Sequence, residues 1–294
     1  GSQNSGAIVE LGEKLYNGDL ELDDTRDDFG RPARDWKFEG KAVGTYVKKE
    51  LIRKEWTAKV TGKDLYDEIT KSILDDPKYN KNVFIDGQDD SNINDKLFAL
   101  NATALRNNKD GVGATGNGVL TQLFIDPKAG NDYEQKDVTV AIINTYLAKA
   151  RADYSEKKDE VDFNVYGIEE VTGQKNEYKK FIDARKNNDD DKEILTVSGD
   201  DFSIADIKKD DAFLVTVAQG DIQTIEAPEV ISAGTMSAFK QNDNVVVNGT
   251  QYDYSSTAEW NYKVLDRYTG IDGRENLKDK TYNVYLDKYG YAIG

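Results

Sequence analysis

The chain is rich in carboxylates, with 55 Asp and Glu residues, but it contains neither His nor Cys. Without His it lacks the usual general base near neutral pH, the Ser–His and Cys–His dyads and the commonest transition-metal ligand. Without Cys, thiol catalysis, iron–sulfur clusters and Cys-based zinc sites are excluded. The chemistry that remains is a carboxylate site, a Lys-based site or a site for a hard cation.

Carboxylate pairs are the first of these to consider, because glycoside hydrolysis needs two carboxylates and no His. In so acidic a chain, pairs at suitable separations are expected by chance alone. Trp36, Trp56 and Trp260 are of a type that stacks on sugars, but packing in a core is the interpretation that the sequence favours. We therefore predict no catalytic residues, and we predict that the chain is not an enzyme.

Two acidic clusters, Asp86–Asp95 and Asp189–Asp191, raise the question of calcium. An EF-hand loop needs Gly at position 6 and Glu at position 12. Counted from Asp86, these positions hold Ser91 and Leu97, so the pattern fails. We predict no cofactor and no metal site, with Ca²⁺ at either cluster as the alternative.

Gly111, Gly113 and Gly116 have the spacing of a dinucleotide-binding motif. That motif works only where a strand precedes it and a helix begins at it, so that the helix N-terminus meets pyrophosphate. Here a polar stretch precedes the glycines and an apolar, strand-like run follows them. We therefore predict a loop and no cofactor-binding residues.

The net charge of −16 argues against a nucleic-acid partner, because a phosphate backbone would be repelled. The longest basic clusters are pairs of residues, such as Lys48–Lys49 and Lys179–Lys180. No stretch approaches the roughly 18 apolar residues of a membrane helix, so we expect no membrane insertion. The negative charge favours solubility. A second interpretation is a surface crowded with copies of itself, where divalent cations bridge carboxylates.

The elements that must position any site are mostly strands. Trp36–Phe38 and Val43–Val47 flank a Glu39-Gly40 turn and predict a hairpin. Val119–Asp126 and Val138–Ala148 are strong strand patterns. Asn248-Gly249 predicts a second hairpin, because both central positions of a type I′ turn need a positive φ. The fold class is therefore mainly β with minor α.

We predict two tandem modules behind an acidic leader. Residues 1–30 are the leader, which we expect to be partly disordered. Residues 31–168 form a mixed β domain with one helix near 62–74, beginning after Thr61. Residues 169–294 form a compact β-barrel or sandwich. The boundary is placed where the first β series ends at Val165 and a polar tract, Gly173–Lys192, begins.

Three stretches together resemble the central region of surface proteins that carry S-layer-homology domains, from anaerobic gut Firmicutes. The first is Arg31-Pro32-Ala33-x-x-Trp36-Lys37-Phe38-Glu39-Gly40-Lys41-x-Val43-Gly44-Thr45-Tyr46. The others are Gly116–Thr121 through Ile143–Ala148 with Ala152–Tyr154, and Tyr282–Tyr291. The similarity lies in strand and turn phrases and covers most of residues 31–294.

The resemblance implies a secreted Gram-positive protein at the cell surface, in the cell wall or S-layer of a gut commensal. It also implies wall anchoring through domains outside this chain, and it supplies no catalytic residues. We expect a structural or interaction segment whose partners are other surface-protein copies or a host surface ligand. The alternative is a host-facing adhesin, that is, a glycan- or protein-binding module. An exposed Trp/Tyr patch would favour that alternative.

Overall fold

The structure, a computed structural model, is mainly β with one α-helix in the part described, as predicted. It contains several sheets, one of them curled into a half-barrel. The described residues are 20–72, 79–89, 115–126, 136–167, 180–183, 196–198, 204–218, 221–240, 243–258 and 278–294. No helix in these ranges is long and apolar enough to cross a membrane.

The first sheet is antiparallel, with strand order β1-β2-β3. Its strands are β1 (Leu20–Arg26), β2 (Pro32–Phe38) and β3 (Lys41–Val47). The predicted hairpin is present, and its turn residues Glu39 and Gly40 have φ values of 49° and 74°. Residues 20–30, which belong to the predicted acidic leader, form β1 and the turn after it, and cations from elsewhere in the chain pair with Asp23 and Asp24. Lys48 Nζ lies 2.7 Å from Asp24 Oδ1, for example.

The second sheet has five strands in the order β4-β7-β8-β5-β6. β5 and β8 are parallel and the other pairs are antiparallel. The strands are β4 (Ile52–Trp56), β5 (Tyr79–Ile85), β6 (Gln88–Asp89), β7 (Leu120–Asp126) and β8 (Lys136–Ile143).

Helix α1 (Gly62–Ser72) lies where the sequence predicted a helix. Thr61 and Asp64 cap it reciprocally: the Thr61 amide donates to Asp64 Oδ2 at 2.8 Å, and the Asp64 amide donates to Thr61 Oγ1 at 3.2 Å. Leu65 and Ile69 point into the core of the second sheet, beside Val83 and Leu123. The helix therefore covers one face of that sheet.

The third sheet has six strands in the order β11-β10-β9-β13-β14-β12. They are β9 (Tyr146–Ala150), β10 (Glu160–Val165), β11 (Lys180–Asp183), β12 (Thr196–Ser198), β13 (Ala212–Ala218) and β14 (Asp221–Glu226). β9 pairs with β13, so this sheet contains strands from both sides of the predicted boundary after residue 168. The pairing counts against two separate units there, although the division itself stays a prediction.

The apolar run Val138–Ala148 predicted one long strand, and this is wrong. The chain leaves β8 at Ile143 and begins β9 at Tyr146, in a different sheet. Asn144 and Thr145 form the link, and both are buried. Val138, Val140 and Ile142 pack in the core of the second sheet, whereas Tyr146 and Ala148 pack in the core of the third. One apolar run in the sequence therefore contributes to two cores.

The fourth sheet is antiparallel, with the order β17-β16-β15-β18. Its strands are β15 (Glu229–Lys240), β16 (Asn244–Val247), β17 (Thr250–Asp253) and β18 (Lys280–Leu286). The predicted Asn248-Gly249 hairpin is confirmed, with φ values of 51° and 79°. Ala292 bridges both the end of β18, at Leu286, and the end of β17, at Tyr254. Residues 291–294 therefore link the two outer strands.

Candidate functional site

The glycine motif does not meet a helix. Gly116 lies in a turn directly before β7, and Gly118 in the same turn has a φ of 78°. Gly111 and Gly113 lie outside the described residues. A strand after the last glycine directs no helix N-terminus at a phosphate, so the arrangement differs from a dinucleotide site.

The two acidic clusters fall mostly outside the described residues, including Asp189–Asp191 and the later part of Asp86–Asp95. Within the described ranges, no group of three or more carboxylates is placed to hold a metal ion. Asp89 is exposed on β6, whereas Asp86 is buried. The absence of a metal site stays a prediction, and Ca²⁺ at either cluster stays its alternative.

The tryptophans differ in their surroundings. Trp56 packs against the core of the second sheet, and Lys54 Nζ lies 5.3 Å from the centre of its ring. Trp36 lies on β2 of the first sheet, whereas Trp260 lies outside the described residues. Trp56 therefore packs in a core, whereas Trp36 lies outside the core of the second sheet.

Trp36 belongs to an open surface that we call the aromatic face, formed by Leu22, Trp36 and Tyr46. Register places Leu22 and Gly44 on either side of Trp36, and Tyr46 follows two residues after Gly44 on the same face. The Trp36 and Tyr46 rings lie 5.1 Å apart between centroids and are tilted by 58°. Tyr46 is 51% exposed, and Leu22 is exposed as well.

This concentration of exposed apolar side chains is local. The described residues include four exposed large hydrophobic side chains, and three of them lie in the first sheet: Leu22, Val43 and Tyr46. Val43 sits at a β-bulge, where the register of β2 and β3 shifts between Trp36 and Lys37. The fourth, Val230, lies on β15.

Charged side chains of both signs line one end of the aromatic face. Arg34 lies 3.5 Å from Asp24 and 3.7 Å from Glu50. Lys48, itself almost buried, holds Asp24 at 2.7 Å and lies 4.0 Å from Asp126. The hydrogen bond from Lys48 lowers the pKa of Asp24, which therefore stays ionised. We call these residues the mixed-charge rim.

A buried carboxylate, Asp86, follows β5 and was not predicted as a site. It is 3% exposed and has a positive φ of 48°. The Asn144 amide donates to Oδ1 at 3.0 Å, the Asn144 side chain donates to both oxygens at 3.3 Å, and Tyr146 Oη donates to Oδ2 at 2.5 Å. Burial raises the pKa of Asp86 to about 6, although these donors oppose the rise.

Asp86 thereby joins the second sheet to the third, and we call this contact the first junction. Gly87 packs tightly here, because a Cβ at this residue would collide with the Asp28 carbonyl oxygen. Phe29, from the same turn as Asp28, packs with Ile143 of β8 and Ala218 of β13. The turn between β1 and β2 thus seals the place where the two sheets meet.

A second buried carboxylate, Asp287, follows β18 and is 2% exposed. Its Oδ1 accepts the amides of Tyr289 and Tyr291 at 2.9 and 3.0 Å. Its Oδ2 has no hydrogen-bond partner in the described structure and lies against Gly118. Burial raises the pKa of Asp287, with the turn amides opposing it.

Asp287 lies where the fourth sheet meets the turn before β7, and we call this contact the second junction. Two hydrogen bonds hold the same region together. The Ser256 amide donates to the Asn117 carbonyl at 2.9 Å, and Thr257 Oγ1 donates to the Thr145 carbonyl at 2.5 Å. Both junction carboxylates follow a strand and precede a glycine-containing turn, which is the only signal of them in the sequence.

The comparisons with known proteins assign no family. No protein-family model matches the chain, and no curated protein matches it.

Proposed function

We propose that this chain is a non-catalytic interaction segment of a secreted bacterial cell-surface protein of the S-layer type. We further propose that its aromatic face binds a second copy of the chain. The observation that carries the proposal is the clustering of exposed Tyr46 and Leu22 with half-buried Trp36, beside Arg34. Trp, Tyr and Arg are the residues that most often dominate the binding energy of protein interfaces.

The mixed-charge rim supports a copy of the chain as the partner. A two-fold interface places the same patch on both subunits, so the patch must complement itself. Exposed Arg34 beside Asp24 and Glu50 meets that requirement, since each rim offers both signs. The net charge of −16 opposes self-association at long range, so salt or divalent cations should strengthen it.

Sedimentation velocity over a range of protein concentrations, with and without Ca²⁺, tests the proposal. The wild-type chain should self-associate, and Tyr46→Ser should weaken self-association at least about tenfold, since central aromatic residues typically contribute 2 kcal/mol or more. The matched control is Val230→Ser, which removes an exposed apolar side chain from a different sheet and should leave association unchanged. A chain that stays monomeric under all these conditions would contradict the proposal.

The second candidate is a host-facing adhesin that binds a glycan or a host protein. The exposed ring of Tyr46 beside Trp36 favours it, because a ligand could contact that ring. Binding of the chain to mucin glycans and host immune proteins can be measured with the same three proteins. Binding that Tyr46→Ser abolishes, together with a monomeric wild-type chain, would favour the adhesin over self-association. Incubation of the chain with glycan and peptide substrates should yield no cleavage products.

A further inference from the structure

The two junction carboxylates share an arrangement that the proposed function does not use. Each directly follows the last residue of a strand, and each is almost completely buried. Asp86 contacts Tyr146 of the third sheet, and Asp287 contacts the turn before β7. Such a charge is costly unless a cation or enough hydrogen bonds compensate it. The groups that face each carboxylate therefore determine how well its charge is compensated.

Around Asp86 the facing groups are neutral donors. Among the described residues, Tyr146 of β9 is the only titratable side chain that donates to it, and Asn144 supplies the remaining hydrogen bonds. The turn between β1 and β2 approaches through the Asp28 carbonyl, which lies against Gly87, and β13 approaches through Ala218. Asp89 on β6 is exposed. No described Lys or Arg forms an ion pair with Asp86.

Around Asp287 the charge is also poorly compensated. Its own turn supplies two amides to Oδ1, while Lys288 opposes the effect of burial only weakly. The titratable Tyr289 and Tyr291 lie in the same turn, and Asp253 at the end of β17 acts on Tyr291. The facing turn Gly116–Gly118 carries no charged side chain. Oδ2 is therefore the less satisfied of the two oxygens.

We propose that protonation of Asp86 on mild acidification strengthens the first junction and that protonation of Asp287 acts in the same direction at the second, so that the assembly of sheets tightens as the pH falls. Protonation removes a buried charge from each junction without removing the side chain. At the second junction it also removes the charge beside Oδ2, which has no hydrogen-bond partner in the described structure. At the first junction Asn144 can still donate to the carboxyl oxygens.

The direction follows from linkage. The unfolded-state pKa of Asp is about 3.9, and burial raises the folded-state pKa of Asp86 to about 6. Between these two values the folded chain holds a proton that the unfolded chain has released, so stability falls as the pH rises. The contribution is complete below the unfolded-state pKa and is lost as the pH rises through about 6.

Urea unfolding at about pH 5 and about pH 7.5 tests the proposal with four proteins: wild type, Asp86→Asn, Asp287→Asn and Asp23→Asn. The wild type should unfold at higher urea at the lower pH. Asp86→Asn and Asp287→Asn should each lose part of that difference, and Asn tolerates the positive φ of position 86. Asp23→Asn is the control, since that carboxylate is exposed and its ion pair with Lys37 lies at the surface, and it should keep the difference.

The carboxyl carbon of Asp86, followed by NMR in the wild-type chain, gives a measurement that does not depend on the variants folding. Its titration midpoint should lie near 6. A midpoint at or below the ordinary value for Asp would overturn the proposal. So would an Asp86→Asn variant that folds and keeps the full wild-type pH dependence. Loss of self-association in Tyr46→Ser bears on the proposed function alone.

Discussion

At the scale of single residues, two Asp side chains of this molecule lie in opposite environments. Asp24 is exposed and ionised beside Lys48, whereas Asp86 is buried among neutral donors. The difference is environment: a nearby cation favours the charged carboxylate, and desolvation disfavours it. Sequence shows only that both residues are Asp, because a side chain's partners depend on which strands pair.

The hydroxyl of Tyr146 is the strongest single donor to Asp86, so its removal should be costly. We expect Tyr146→Phe to reduce the free energy of unfolding by about 1–3 kcal/mol at neutral pH, because a buried acceptor loses its partner. It should also raise the pKa of Asp86, since the Tyr146 hydrogen bond acts to lower it. Urea unfolding and the Asp86 NMR titration measure the two effects. Tyr46→Phe, at an exposed position, should leave stability unchanged.

The candidate sites could be predicted only in part. Trp36 and the Glu39-Gly40 turn identified a hairpin, and the possibility that Trp36 binds a ligand was considered. The pairing of Trp36 with Tyr46 on one open face was not predicted, since a bulge between Trp36 and Lys37 shifts the register. Asp86 was considered only as a calcium ligand, because burial and the approach of Asn144 and Tyr146 come from sheet packing.

At the scale of elements, predictions were reliable where the interacting residues lie close together in the sequence. Thr61 and Asp64 cap α1 within four residues, and Asn248-Gly249 forms its hairpin without help from distant parts. The run Val138–Ala148 failed because it is apolar throughout. Nothing in such a run indicates where one sheet ends and another begins. Its division at Asn144 depends on the hydrogen bonds to Asp86.

The segment Tyr291–Gly294 links β17 and β18, and it also reaches beyond the fourth sheet. Ile293 is completely buried against Leu147 of β9 and Leu214 of β13. Truncating an apolar core residue to Ala typically costs 2–5 kcal/mol, so we expect Ile293→Ala to lower stability by about that much. Deletion of Tyr291–Gly294 should lower it further, because the backbone bonds to Tyr285 are also lost.

Thermal unfolding of both variants, followed by hydrogen exchange, shows where the loss is felt. The third sheet should lose protection together with the fourth, since Ile293 contacts both. A loss confined to the fourth sheet would mean that the Ile293 contact does not couple them. Val230→Ala, an exposed change on β15, is the control and should leave the melting temperature unchanged.

At the scale of the whole molecule, the sheets are connected in a continuous series. The turn between β1 and β2 seals the first junction, Asp86 links the second and third sheets, and Ile293 links the third and fourth. Within the third sheet, the main-chain hydrogen bonds between β9 and β13 connect the two sides of the predicted boundary after residue 168.

This connection leads to a prediction about the division after residue 168. Fragments 20–168 and 169–294, produced separately, should not unfold cooperatively, because β9 lacks β13 in the first and β13 lacks β9 in the second. Mixed together, they should restore cooperative unfolding and elute as one complex in size-exclusion chromatography. Two fragments that each unfold cooperatively by themselves would support two tandem modules.

The position of Ile293 also has a consequence for the order in which the molecule is made. The ribosome synthesises Leu147 long before Ile293, yet the two side chains belong to one core cluster. Contacts between residues so far apart in sequence close late and slow folding. The cluster at the third sheet therefore stays incomplete while the intervening chain is still being translated.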